Sequence, residues 1–192
     1  MKKKVYLFLF DGFSDWEVAY LTPEINQSEK CELVYFSVDG TPLRSAGGLS
    51  IQPATSLAEL QADDIDLLIL PGGTAWESGG RIDLQGLVET VFERKKTIAA
   101  ICAATTYFGR MGLLEAVGHT SNSMDYLKEM APAYRGTDNY REMLAVSDRN
   151  IITANGVAPI EFAREIFKAL ALYSDEEIEE WFQLFKNGIW TS

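Results

Sequence analysis

Thr97-Ile98-Ala99-Ala100-Ile101-Cys102-Ala103-Ala104-Thr105-Thr106-Tyr107-Phe108-Gly109-Arg110-Met111-Gly112 is the stretch on which the fold turns. Thr97 to Ile101 reads as a short strand that runs directly into Cys102. Ala103 to Gly112 then reads as a helix stopped by glycine. A strand passing almost without a linker into a helix is the building unit of an α/β layer structure.

The same unit recurs on either side. Val5 to Phe10 is apolar throughout and stops at Asp11-Gly12. Leu33 to Val38 stops at Asp39-Gly40, and Ile65 to Leu70 stops at Pro71-Gly72-Gly73. Runs that are apolar on both faces suit strands of a parallel sheet covered on both sides. Between them, Asp15 to Ile25 reads as a helix, as does Leu84 to Glu93 with Leu84, Leu87, Val88 and Val91 at helical spacing.

Later in the chain, His119 to Asn122 reads as a short strand and Met124 to Met130 as a short helix. A hairpin or an irregular excursion is expected over Thr41–Pro53, and a hairpin over Met143–Val146 with Ile151–Ala154. Pro159 opens a helix with Ala163, Ile166, Phe167 and Leu170 on one side. Ser174 and Glu177 form a capping box for an acidic amphipathic helix near 175–186, with Ile178, Trp181, Phe182 and Phe185 as its stripe. The fold class is therefore α/β, a mostly parallel sheet with helices on both faces, and 1–192 reads as one domain.

Composition excludes several functions. Lys+Arg 17 against Asp+Glu 28 leaves a net charge of −11, which argues against nucleic acid or an anionic membrane as partner. One histidine, His119, and two cysteines, Cys31 and Cys102, supply neither a disulfide scaffold nor the ligands of a zinc site. No Walker A or dinucleotide fingerprint is present, so phosphate cradling is not expected, and the sequence points to no metal and no cofactor. The apolar run after Lys2-Lys3-Lys4 has six residues, shorter than the ~7–15 of a signal-peptide core. No stretch approaches the ~20 apolar residues of a membrane span, and the expected location is the cytoplasm.

In parallel sheets ligands bind at the carboxyl ends of the strands, where the turns after Phe10 and Leu70 should meet Cys102. Cys102, flanked by small residues, stands where a nucleophile elbow would. Unpaired N–H groups of the following helix would stabilise its thiolate; the plain alternative is a buried small hydrophobe. Gly72-Gly73 can offer N–H groups to an oxyanion, or be a simple glycine turn with Gly79-Gly80 beyond it. Glu17 is a carboxyl that can hydrogen-bond the thiol, or an acid placed by a helix dipole.

Together, Phe10-Asp11-Gly12-Phe13-Ser14-Asp15-Trp16-Glu17, Leu70-Pro71-Gly72-Gly73 and Ala100-Ile101-Cys102-Ala103-Ala104 resemble the ThiJ/PfpI superfamily of the class I glutamine amidotransferase-like fold. The resemblance extends to about Leu172. It implies a flavodoxin-like three-layer sandwich and a homodimer. It puts Cys102 at the nucleophile position, Glu17 at the carboxyl position, and Gly73 and Ala103 at the oxyanion hole. On the substrate side it brings Gly72, Trp76, His119, Asn122 and Asn155, with Asn122 rather than His119 nearest the cysteine; the plain alternatives are a packing tryptophan and a strand-end histidine bonded to backbone or solvent. Amidotransferase and protease-like members carry histidine directly after the cysteine; here that residue is Ala103. The implied function is a cysteine-dependent small-molecule enzyme of hydrolase, amidase or glyoxalase/lyase type. The alternative is a non-enzymatic oxidative-stress or redox-sensing protein using the same cysteine. A Cys-His protease or glutaminase is disfavoured.

Overall fold

The computed structural model describes residues 2–77 and 82–190. Gly79-Gly80, expected as a flexible loop, lies outside them. In chain order the regular elements are β1 Lys3–Phe8, α1 Thr22–Gln27, β2 Cys31–Ser37, β3 Leu43–Arg44, β4 Ser50–Ile51, β5 Thr55–Ser56 and β6 Leu67–Leu70. They continue with α2 Gln85–Glu93, β7 Thr97–Ile101, α3 Ala104–Arg110, α4 Met124–Met130, β8 Ala145–Asp148, β9 Ile151–Ala154, α5 Pro159–Leu170 and α6 Asp175–Asn187.

Among the described residues, seven strands form one sheet in the order β5-β2-β1-β6-β7-β9-β8. All neighbours run parallel except β8, which pairs antiparallel with β9 as an expected hairpin. The expected hairpin or excursion over Thr41–Pro53 holds the small β3–β4 pair, Leu43 opposite Ile51. Strands β6 and β9 are buried along their whole length because helices cover both sides. One helical layer is α1, α5 and α6, tied together where Glu24 accepts from Tyr173 Oη and Trp181 Nε1. The other is α2, α3 and α4, where Tyr107 Oη receives the Leu84 N–H and Leu127 packs on Gly109. This is the three-layer flavodoxin-like arrangement.

Two expectations are corrected. The segment Asp15–Ile25 is not one helix: a single 3-10 turn, Asp15–Glu17, precedes α1. Pro23 lies in the first turn of α1, where its missing N–H costs nothing; further inside a helix it would remove a hydrogen bond. Glu17 consequently turns inward and is wholly buried. His119–Asn122 forms no strand, only a bridge from His119 to Tyr140.

The C-terminal stripe is half used. Ile178 is buried and Trp181 packs edge-on against Phe167 with centroids 4.8 Å apart, but Phe185 remains 45% exposed. Phe182 lies under the Arg164 guanidinium at 4.0 Å.

Candidate active site

Cys102 sits between β7 and α3 with φ 59°, a left-handed conformation unusual for a residue with a side chain. Such strain costs on the order of 1–3 kcal/mol and persists only where neighbours hold it. Here the Cys102 N–H donates to Ala154 O at 2.9 Å, and Cys102 O accepts from Thr105 Oγ1 at 2.6 Å. The elbow therefore joins β9 to α3 through one residue.

Glu17 approaches from the 3-10 turn. Its Oε2 accepts the Gly72 N–H at 2.6 Å, while Oε1 is buried without a hydrogen bond in the geometry. Gly72 leaves room for this: a Cβ there would lie 2.7 Å from both Cys102 Cβ and Glu17 Oε2. Gly73 has φ 146°, in the range that favours glycine, and its position beneath Phe10 and Gly12 O excludes a side chain.

Burial pushes the Glu17 carboxyl up to about 7, against the opposing effects of the Gly72 N–H and the Cys102 thiol. Burial, then the nearby Glu17 charge, pushes the Cys102 thiol up to about 11, although Asn122 and the Ala103 N–H favour its thiolate. The sequence expectation of a thiolate stabilised by the helix end is thus reversed. The low-dielectric setting and a carboxylate neighbour outweigh two donors. The two groups titrate as a pair that holds one proton between the first and second steps.

Asn122 completes the sulfur's surroundings. Its Nδ2 donates to Cys102 Sγ at 3.4 Å, while Oδ1 accepts the Gly156 N–H at 2.9 Å. Asn155 Nδ2 bonds both Ser121 O and Asn122 O, so Asn155 clamps the loop that carries Asn122. Below it, Ser121 Oγ meets Thr105 Oγ1 at 2.7 Å, linking that loop to the elbow carbonyl.

The structure brings Cys102, Glu17, Gly72, Ala103 and Asn122 together. The substrate-side residues have these partners in the fold. Gly72 uses its N–H on Glu17 and its carbonyl on the Ser14 N–H. Trp76 is buried against Phe8, Phe10 and Tyr107, with its indole N–H on Pro71 O. His119 is fully buried, with Nδ1 on Val117 O, Nε2 on Tyr134 Oη, and its pKa lowered mainly by burial. Asn155 is the loop clamp. Two groups escaped sequence reasoning, Tyr126 and Glu77, whose side chains meet at 2.7 Å. Neither carries a local motif; only the fold juxtaposes them. Among the described residues, no helix is long and apolar enough to cross a membrane, and no His/Cys/Asp/Glu cluster is arranged to hold a metal.

A parallel α/β sheet with a strained cysteine elbow and a buried carboxyl beside it defines the class of this protein. The DJ-1/PfpI family model matches residues 3–169, and the chain belongs to that family. It is 38% identical over 191 residues to the uncharacterized protease YoaZ of Bacillus subtilis, covering 96% of this chain and 91% of that one. It is 32% identical over 184 residues to protein dj-1beta of Drosophila melanogaster, covering 94% and 95%. The crystal structure of DJ-1 superfamily protein Atu0886 from Agrobacterium tumefaciens superposes with a TM-score of 0.89 at 40% identity, covering 97% and 98%.

Proposed function

We propose that the protein is a cysteine-dependent small-molecule enzyme of hydrolase or lyase type, with Cys102 as nucleophile and Glu17 as its proton acceptor. One observation carries this reading: a wholly buried carboxyl stands beside the Cys102 side chain of a strained elbow, the two so close across Gly72 that a single added Cβ would touch both. A base pushed up to about 7 is matched to neutral pH. It supplies what the histidine after the cysteine would supply elsewhere. As the sulfur–carbon bond forms, the thiol proton passes to Glu17 and the substrate's C–O π electrons move onto oxygen. The Gly73 and Ala103 N–H groups stabilise that oxyanion. Glu17 then returns the proton to the oxygen, giving a hemithioacetal, or to the leaving group as the oxyanion collapses to a thioester; in the latter case water, giving its proton to Glu17, adds to the thioester, the Cys102–carbon bond breaks and Glu17 returns the proton to the departing sulfur. Asn122, donating to sulfur, offsets part of the cost of the buried thiolate.

A panel of amides, esters, 2-oxoaldehydes and isonitriles tests the reading. Turnover of at least one class should disappear in Cys102→Ala; full turnover retained in that variant would refute it. A second reading, a stress or redox sensor, draws on the same pair. A protonated Glu17 can donate to the oxygens of a cysteine sulfinate formed by peroxide, with water as the reduced product. Intact mass after mild peroxide should then show two added oxygens on Cys102 and none on buried Cys31.

A cytoplasmic homodimer accompanies either reading. The surface that supports it is an apolar groove of about 450 Å³ between the 3-10 turn, α1 and the β3–β4 hairpin, lined by Phe13, Val18, Tyr35, Leu49 and Ile51 among others. Leu49 in its lining, and Trp16 next in sequence to the lining residue Asp15, are each more than half exposed. Light scattering on wild type and on Trp16→Glu measures it: a dimer weakened by the substitution is the expected result.

A further inference from the structure

We propose that Tyr126 and Glu77 form an acidic rim on the Cys102 site that selects uncharged electrophiles over anionic ones. The proposal rests on an accessible Cys102 nucleophile and adds the charge class of what reaches it. Tyr126 Oη donates to Glu77 Oε1 at 2.7 Å. Tyr126 is in the first turn of α4, whose N-cap, Ser123, directly follows Asn122 on the sulfur. Glu77 ends the 3-10 turn Thr74–Trp76, which directly follows Gly73. One hydrogen bond thus ties together the two loops that flank the elbow. The Tyr126 phenol also lies within electrostatic range of Cys102, and burial and Glu77 together keep it protonated and donating.

Among the described residues, neither Glu77 nor Glu17 has an ion-pair partner. Arg110 approaches from α3 and lies near Tyr126. Its guanidinium donates to Thr106 Oγ1, Met130 O and Trp76 O and does not meet Glu77. An anionic substrate at this rim therefore meets the exposed Glu77 carboxylate, whereas a neutral aldehyde, amide or ester meets no such repulsion. The Tyr126 bond matters because it holds Glu77 at the rim, where an exposed side chain would otherwise sample solvent.

The test compares alkylation of Cys102 by neutral iodoacetamide and by anionic iodoacetate, in a Cys31→Ser background. The ratio of the two rates reads the rim and needs no known substrate. Glu77→Gln should raise the iodoacetate rate relative to iodoacetamide by roughly fivefold at low salt, with the gain fading as salt screens the charge. Tyr126→Phe should move the ratio in the same direction. Glu179→Gln, a distant exposed carboxylate on α6, should leave it at the wild-type value. An unchanged ratio in Glu77→Gln, or an equal change in Glu179→Gln, would overturn the rim while leaving the Cys102 nucleophile standing. Failure of both reagents to label native wild type would instead overturn the accessible nucleophile, and the rim with it.

Discussion

The side-chain amide of Asn122 donates to the sulfur of Cys102 at 3.4 Å, and its direction is fixed because the opposite oxygen accepts the Gly156 N–H at 2.9 Å. An amide free to flip would present oxygen to the thiolate half the time. Here the backbone decides, and the sulfur always faces a donor.

Removing that donor gives the first prediction. Asn122→Ala should raise the thiol's pKa further, since one of the groups favouring its thiolate is gone. A hydrogen bond to a charged group contributes about 1.5–3 kcal/mol, so thiolate-dependent alkylation should fall roughly tenfold or more. Rates of iodoacetamide labelling at neutral pH measure it. Asn122→Asp should fall at least as far, because it adds a third carboxyl beside the sulfur.

The pH dependence of Cys102 follows from its partner. Labelling should rise as pH passes about 7, where the pair loses its first proton, and again towards about 11. Glu17→Gln should abolish the lower step. It also removes the charge that raises the thiol, so the remaining midpoint should lie below about 11. A profile identical to wild type would separate the two groups.

The same carboxyl shapes stability. Its proton is held more tightly in the folded chain than in the unfolded one, so folding stability should drop as pH rises from 4.5 to about 7. Across that window the loss from this group alone is about 3 kcal/mol. Glu17→Gln should keep the Gly72 bond and escape the drop, making it more stable than wild type above the window. Denaturant unfolding on either side of the window measures the difference.

Gly156 is tested by size. A Cβ there would lie 2.7 Å from Cys102 Sγ and 3.0 Å from its Cβ. Gly156→Ala must displace the sulfur or the Asn155–Gly156 loop, breaking the Asn122 contact. Overpacking of this kind costs about 1–3 kcal/mol. Labelling of Cys102 should fall roughly tenfold or more, since a displaced reactive group loses its alignment.

Trp76 should behave as a core residue. With its indole bonded to Pro71 O and three aromatic rings around it, Trp76→Ala should cost about 3–5 kcal/mol in unfolding free energy. Thermal and denaturant unfolding measure this. A substrate-wall tryptophan would instead alter turnover with little change in stability.

The sheet was legible because each buried strand writes its own signature. Leu67–Leu70 is apolar on both faces, and Ile151–Ala154 is so except at Thr153, because helices cover both faces of each strand. Cys102 and the Pro71-Gly72-Gly73 turn were legible for the same local reason: a tight strand-to-helix turn requires small neighbours, and close approach requires glycine. The break at Pro23 was in plain view, yet a helix was expected through it because the apolar spacing dominated. What the sequence could not supply was direction. Whether Glu17 faces solvent or sulfur, whether His119 bonds substrate or Tyr134, and whether Asn122 presents N or O depend on groups dozens of residues away. The same holds for the thiol, whose helix-end setting predicted a lowered pKa until burial and Glu17 were known. Local sequence determines where a strand ends and a nucleophile can stand; only tertiary packing decides desolvation and partnership, and those govern where a proton sits.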